Sequence, residues 1–308
     1  MTPPDDLSDE VLALGVAGHT FLVRGTRAVR LLRALEGFAG FIRPGTGEDR
    51  APLFTFEYRP GVFSQDRSSL TPLYRFETEG YDCSFCRTPQ GYSFSMSRPG
   101  NRAEGFGWTF HPGERRFAAR GGIDVASLRF SLWQALGTAV LPLGTAAVHA
   151  STICWQEKAV LFLGESGTGK STHTRLWQQY VPGATLLNDD SPFLQTRPED
   201  DQAPCVWGSP WSGKTPCYHD LRRPLAGIVR LSQATDNRIR RLSVAEAVGA
   251  LLPSLPPALA YAQHTRELLL DIVCRTIERV PVFHLQCRPD AQAVRLSREA
   301  VFESSPQR

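Results

Sequence analysis

This sequence of 308 residues has no long apolar run, little net charge and no evident disulfide framework. No uninterrupted apolar run approaches the roughly 20 residues that a membrane-spanning helix needs. The formal net charge of +3 is too small to indicate binding to nucleic acid or to a membrane surface. Hydrophobic residues at 42% and charged residues at 21% are typical of a soluble globular protein.

The termini and cysteines give no sign of secretion. The first ten residues, MTPPDDLSDE, are acidic and proline-rich, whereas a signal peptide starts with basic residues. We therefore expect a cytoplasmic protein. The seven cysteines are an odd number in a chain too large to need disulfides. Cys83 and Cys86 have zinc-ligand spacing, but no second CxxC or HxxxH pair follows, which favours reduced structural thiols over a metal site.

The chain changes character along its length, which predicts two domains. In residues 1–124, short stretches such as HTFLVRG, PLFTFEYR and YSFSMSR are separated by Gly, Pro and Asn and predict a smaller, mainly β domain. Apolar spacing over Thr26–Phe38 predicts a helix with Gly37 near its end. Another helix is predicted after Asp124, its N-cap. Residues 125–308 are expected to form an α/β domain.

The second half contains a strand–helix–strand pattern. KAVLFLG predicts a buried strand, KSTHTRLWQQY a helix and ATLLNDD a second strand, a βαβ unit that implies a parallel sheet. LAGIVRLSQ and VPVFHLQC predict two more strands. SVAEAVGALLPSL and TRELLLDIVCRTIERV predict helices, the first with Ser243 and Glu246 spaced as a capping box.

The loop between the first strand and the helix of this unit fits the phosphate-binding pattern G-x-x-x-x-G-K-[ST]. The predicted nucleotide-binding residues are Gly164, Glu165, Ser166, Gly167, Thr168, Gly169, Lys170, Ser171 and Thr172. Glycines allow backbone N–H groups to turn toward a phosphate, and the helix N-terminus adds its dipole. We predict ATP binding, with Lys170 neutralising the β- and γ-phosphates and Ser171 holding Mg²⁺. A flexible linker would also contain such residues, but the flanking strand and helix favour a P-loop.

Two acids follow the P-loop helix. Asp189 and Asp190 lie 18 and 19 residues after Ser171, at the end of the predicted strand. One of two such acids would coordinate Mg²⁺, and the other would accept the proton of an attacking hydroxyl. A helix N-cap or a solvated turn is the alternative for an Asp pair. His149 stands 21 residues before Lys170, and an isolated histidine is more often structural than catalytic.

The segment HASTICWQEKAVLFLGESGTGKSTHTRLWQQYVPGATLLNDDSPFL, residues 149–194, resembles the core of the HPr kinase/phosphorylase family. That family shares its nucleotide fold with the phosphoenolpyruvate carboxykinases. The resemblance implies that His149 is catalytic, that Asp190 is the proton acceptor, and that Asp189 lies beside it near the metal held by Ser171. It also implies an α/β P-loop kinase domain behind a smaller, mainly β N-terminal domain, and a possible homo-oligomer.

The sequence departs from that family in two places. Thr172 stands where those kinases have a glutamate, and their downstream metal-binding glutamate has no counterpart here. In the comparable place, WGSPWSGKTPCY contains Ser212, Gly213 and Lys214, which resemble a motif of HPr-kinase-related proteins of bacterial gene clusters, some of which phosphorylate peptides. Lys214 is predicted to add a second catalytic positive charge. A simple turn is the alternative.

Asp189 and Asp190 are adjacent, which limits how both can face the P-loop. Adjacent side chains on a strand point to opposite faces, so we expect the chain to leave strand geometry near Asn188, which lets both carboxylates reach the P-loop.

These residues predict an ATP- and Mg²⁺-dependent kinase that phosphorylates a hydroxyl, most simply Ser or Thr of a protein or peptide. A small-molecule kinase would use the same catalytic set, and a nucleotide-binding module without transfer would not need Asp190. A transporter-type ATPase is disfavoured because the LSGGQ-like signature is missing. Arg238, Arg240 and Arg241 predict a basic edge that attracts an acidic substrate.

Overall fold

The computed structural model describes residues 10–45, 51–64, 69–196, 203–213 and 215–303, and no side chain is described for residues 102–104. The chain forms two compact units, Met1–Ala139 and Val140–Arg308. The division falls at the end of the helix that follows Asp124, whereas the boundary that we predicted lies at its start. No helix in the described ranges combines the length and apolar character that crossing a membrane requires.

The first unit is built around one mixed sheet. Its strands are β1 (Val11–Val16), β2 (His19–Arg24), β3 (Ile42–Arg43), β4 (Thr55–Arg59), β5 (Thr71–Thr78), β6 (Tyr81–Thr88), β7 (Gly91–Arg98), β8 (Asn101–His111) and β9 (Arg116–Gly121). Its helices are α1 (Thr26–Arg33), α2 (Glu36–Ala39) and α3 (Val125–Val140). Over the described residues the strand order is β3-β1-β2-β4-β9-β8-β7-β6-β5, with β5 to β9 as an antiparallel meander.

Aromatic side chains fill the interior of this unit. Trp108 and Phe117, on β8 and β9, are fully buried and meet edge-to-face with 4.9 Å between ring centroids. Phe130 of α3 packs on Phe94 of β7 with 5.9 Å between centroids. Such pairs add to the free energy gained by burying their area. The alternating aromatic residues seen in the sequence therefore form a core between the sheet and α3.

Three of the five helix predictions concern where a helix starts or ends. The Asp124 carboxylate accepts a bond from Ser127 N at 2.9 Å, which confirms the N-cap of α3. Ser243 and Glu246 form the predicted capping box. The single helix expected over Thr26–Phe38 is wrong in its second half. It ends at Arg33, and α2 starts separately at Glu36, so that Gly37 lies inside α2.

The second unit also contains a mixed sheet. Its strands are β10 (Thr145–Ala147), β11 (Ala150–Trp155), β12 (Lys158–Leu163), β13 (Thr185–Asp190), β14 (Phe193–Gln195), β15 (Cys205–Trp207), β16 (Arg222–Gln233), β17 (Arg238–Arg241) and β18 (Val282–Cys287). Its helices are α4 (Lys170–Tyr180), α5 (Val244–Leu251), α6 (Pro257–Ala260), α7 (Gln263–Arg279) and α8 (Ala291–Phe302). Strands β12, β16 and β18 are parallel neighbours, and β17 pairs antiparallel with β18.

The strand–helix–strand unit is less simple than the sequence indicated. β12 and β13 run in the same direction, but β11 lies between them and pairs antiparallel with both. The carboxyl ends of β12 and β13 therefore still lie at one edge of the sheet. Beneath that edge, Phe162, Trp177, Val229, Leu285 and Val294 form a buried core between the sheet, α4 and α8.

Candidate active site

The glycine-rich loop connects β12 to α4, as the pattern predicts. Gly167 and Gly169 have φ of 80° and 105°, a left-handed region that residues with a side chain rarely adopt. The Thr168 hydroxyl donates to Glu165 O at 2.7 Å, which closes the loop on itself. Gly169 precedes Lys170, the first residue of α4, so the helix N-terminus lies directly behind the loop. This is the geometry of an anion-binding loop.

Lys170, His149 and Asp190 lie in a row beside the loop. Lys170 Nζ donates to Gly164 O at 2.8 Å and lies 2.9 Å from His149 Nε2. On the other side of the ring, His149 Nδ1 is 3.3 Å from Asp190 Oδ1. Burial lowers the pKa of Lys170, and the negative charges of Asp190 and Asp189 oppose that shift. The structure thus brings together three residues that lie up to 41 positions apart in the chain.

The contacts of the His149 ring indicate which of its two nitrogens carries the proton. A lysine ammonium donates hydrogen bonds and cannot accept one. His149 Nε2 is therefore the acceptor for Lys170, and the proton of the neutral ring lies on Nδ1, facing Asp190. In this arrangement the histidine orients the Asp190 carboxylate and stabilises its negative charge. Its own backbone N–H is held by Ser254 O at 2.7 Å.

Asp189 occupies a different environment. The residue is 4% exposed, and its Oδ1 accepts a hydrogen bond from Ser151 Oγ of β11 at 2.6 Å. Among the described residues, its buried Oδ2 has no hydrogen-bond partner. A buried carboxylate oxygen without a partner is unfavourable unless a ligand supplies one. Asp189 therefore fits the role of an anchor for a cation.

The expected end of the strand near Asn188 is wrong. Ala150 and Ser151 pair with Asp190 and Asp189, so β13 continues through both acids. A bulge at Leu187 shifts the register just before them. Bulges re-aim the side chains that follow. The carboxylates consequently differ in surroundings, Asp189 against Ser151 and Asp190 against His149, although both act on the charge of Lys170.

Asn188 fixes the end of this strand to the loop after β15. It is fully buried, and its Oδ1 accepts bonds from the N–H groups of Asp190 and Ser191 at 3.0 and 2.8 Å. Its Nδ2 lies within bonding distance of Ser209 O, Ser209 Oγ and Trp211 O, at 3.3, 3.2 and 3.0 Å. One side chain thus holds both segments in place.

The Ser-Gly-Lys segment belongs to that same loop. A Cβ added at Gly213 would lie 2.7 Å from Asp189 O and 3.2 Å from Asp190 Cβ, so the loop passes directly against the two acids. Ser212 Oγ donates to Thr215 O at 2.6 Å. Lys214, predicted to be catalytic, lies outside the described residues.

The remaining predicted residues have ordinary positions. Ser171, a predicted metal ligand, is exposed on the first turn of α4, and Thr172 follows it half-buried. Glu165 and Ser166 are exposed in the loop. In the described part of the chain, no group of three or more His, Cys, Asp or Glu side chains is placed to hold a metal ion. Mg²⁺ does not require such a group, because it usually keeps waters and binds one or two carboxylates together with substrate phosphates.

All seven cysteines are free. Cys83 and Cys86 are buried on β6, where burial raises the pKa of the Cys83 thiol to about 12. A thiol with so high a pKa is a poor nucleophile and metal ligand at neutral pH.

Sequence reasoning missed three contributors to the site. Ser151 bonds to Asp189, Asn188 anchors β13, and Arg230 of β16 lies 3.8 Å from Glu165 of the P-loop. Of these three, only Asn188 could have been found from the sequence, because an amide side chain inside an apolar strand and directly before two acids is unusual. The other two depend on strand register, which the sequence does not specify.

No family model matches this chain, and no match to it was found among curated proteins.

Proposed function

We propose that this protein is an ATP- and Mg²⁺-dependent kinase that transfers the γ-phosphate to a hydroxyl. The observation that carries the proposal is the row Lys170–His149–Asp190 at the P-loop, with contacts of 2.9 and 3.3 Å. A loop that only binds nucleotide needs the lysine, but it does not need a carboxylate oriented by a histidine beside it. A hydroxyl acceptor does need such a base.

The donor set also suits the nucleotide and its metal. The loop offers left-handed glycines and a helix N-terminus to phosphates, and the buried Lys170 provides a positive charge. Asp189 Oδ2 and the exposed Ser171 hydroxyl are oxygen donors, which Mg²⁺ prefers. ATP-Mg²⁺, when bound, supplies the transferable phosphoryl group and neutralises its charge.

The chain's own residues would then divide the work. Asp190 accepts the proton of the acceptor hydroxyl, and His149 Nδ1–H keeps that carboxylate oriented. Lys170 balances the negative charge that develops on the phosphoryl oxygens. Asp189, held by Ser151, keeps the metal beside the loop. The loop after β15 passes against the two acids at Gly213.

The acceptor is proposed from the resemblance to HPr kinases and their peptide-phosphorylating relatives. We propose Ser or Thr of a protein or peptide, in the cytoplasm, where ATP is available. A homo-oligomer is proposed on the same resemblance.

Two substitutions separate a kinase from a nucleotide-binding module. Asp190→Asn keeps the size of the side chain but cannot accept a proton, so it should bind ATP-Mg²⁺ normally and lose phosphoryl transfer. Asp189→Asn should weaken the Mg²⁺-dependent part of ATP binding first. Calorimetric titration with and without Mg²⁺ measures binding, and γ-labelled ATP with a library of Ser- and Thr-containing peptides measures transfer.

Lys170→Ala serves as the control for the P-loop, since it should abolish most ATP binding without unfolding the chain. Wild-type protein that binds ATP but labels no acceptor would support the module instead. Transfer by Asp190→Asn at the wild-type rate would disprove the assignment of the base.

A further inference from the structure

A second group of polar side chains lies beside the P-loop, on the side away from His149 and Asp190. β16 is the neighbour of β12, and Arg230 stands in register with both Leu163, the last residue of β12, and His284 of β18. Ser232 Oγ lies 2.8 Å from His284 Nε2. We call Arg230, Ser232 and His284 the polar shelf.

The polar shelf lies on the face of the sheet opposite α4 and α8. Leu231 and Leu285 alternate with the shelf residues and belong to the buried core on those helices. The shelf side chains therefore point to the other face, where all three are partly exposed. Gln233 Nε2 donates to Gly167 O at 3.2 Å, so the end of β16 is bonded to the tip of the loop.

The direction of phosphoryl transfer decides which part of the phosphate donor lies beside the polar shelf. The attacking and leaving oxygens are roughly in line through the transferred phosphorus. Asp190 places the attacking hydroxyl on the β13 side of the loop, so the leaving diphosphate and its nucleoside lie on the opposite side, toward β16 and β18. His284 is two strand spacings, about 10 Å, from the end of β12, which a nucleoside attached to phosphates in the loop can reach.

The chemistry of the shelf suits a flat ligand with hydrogen-bonding edges. Burial lowers the pKa of His284, and the charges of Arg240 and Arg230 add to this, with Glu246 of α5 acting in the opposite direction. At neutral pH the ring is thus uncharged, and together with Ser232 it offers both donors and acceptors. Arg240 is bonded to Glu246 at 2.8 Å, whereas the ion pair found for Arg230 among the described residues is a long contact of 3.8 Å with the exposed Glu165. A guanidinium stacks well on a flat base.

We propose that Arg230, Ser232 and His284 form the subsite for the nucleoside of the phosphate donor, opposite the acceptor side of the P-loop. This inference rests on the proposed function, because it requires a nucleotide in the loop. The ribose hydroxyls and base edge would bond to Ser232 and His284.

Two probes separate the subsite from the P-loop: ATP, and inorganic tripolyphosphate, which has the phosphates without the nucleoside. Affinities of the full chain for each, with Mg²⁺, are measured by calorimetry. His284→Ala and, separately, Ser232→Ala should weaken ATP binding by roughly tenfold, the effect of about one lost hydrogen bond, and leave tripolyphosphate binding unchanged. His264→Ala, an exposed histidine on α7, is the matched control and should change neither affinity.

Wild-type ATP affinity in both shelf variants, or equal weakening of both probes, would overturn the subsite while leaving the kinase proposal intact. Wild-type protein that binds neither probe would overturn the proposed function and the subsite with it. Thermal unfolding checks each variant, and Ser232→Ala keeps the test decisive if His284→Ala does not fold.

Discussion

Asn188→Ala should destabilise the second unit strongly. The asparagine is fully buried, with two N–H groups donated to its Oδ1 and three oxygen atoms around its Nδ2. Because Nδ2 carries two hydrogens, about four hydrogen bonds are lost. Each is worth about 1 kcal/mol net, so we expect the free energy of unfolding to fall by about 4 kcal/mol. That is a large share of the total stability of a typical domain.

Asn237→Ala is the matched control. Asn237 makes three bonds, to Asp290, Gln292 and Arg288 N, at 2.8, 2.9 and 2.8 Å, but these groups are partly or fully exposed. Water replaces such bonds when they are lost, so this variant should lose no more than about 1 kcal/mol.

Urea unfolding followed by tryptophan fluorescence and far-ultraviolet circular dichroism gives both values. Equal losses in the two variants would refute the claim that burial makes the Asn188 network important. In a folded fraction of Asn188→Ala, turnover should also fall, because the backbone of Asp190 is no longer fixed.

Two further substitutions test the site and its support. His149→Ala should lower turnover by roughly 10²-fold with little change in ATP affinity; steady-state kinetics check this, and unchanged turnover would make the histidine structural. His173 is 3% exposed, and burial lowers its pKa to about 4. As the pH falls, the histidine of the unfolded chain is protonated near pH 6.5, whereas that of the folded chain is protonated only near pH 4. The free energy of unfolding therefore decreases by about 3 kcal/mol between these two pH values. Urea unfolding at pH 7 and at pH 4.5 measures this decrease, which should be absent in His173→Gln. A variant with the same pH dependence as the wild type would contradict the prediction.

Local features of the fold could be predicted because their causes are local. The capping box of Ser243 and the N-cap Asp124 depend on residues three positions away, and both are confirmed. The glycine-rich loop between β12 and α4 also lies where the sequence predicts it, because its glycines stand between an apolar strand and a helix. The helix after Thr26 failed in its second half, since apolar spacing does not show that the chain turns at Ala34 and Leu35.

Features that depend on pairing between distant strands could not be predicted. The insertion of β11 between β12 and β13 follows from hairpin formation, which competes with the parallel pairing that a βαβ pattern suggests. The same strand supplies Ser151 to Asp189, so its register decides which acid is buried. A bulge at Leu187 then re-aims the acids without any need for the strand to end.

The central position of β16 affects which strands of the second unit unfold locally. Ile228, Val229 and Arg230 are paired on both sides, to β12 and to β18, while the first residues of the strand pair with β15. Amide hydrogens in such a strand exchange with solvent only when most of the unit unfolds. β13 pairs along the sheet with β11 alone among the described strands, so fewer backbone pairings hold it than hold β16, although Asn188 ties its end to the loop after β15. Hydrogen exchange should therefore be slowest in β16, beside the glycine-rich loop, and faster in β13, so that the strand with Asp189 and Asp190 unfolds locally while its neighbours stay folded.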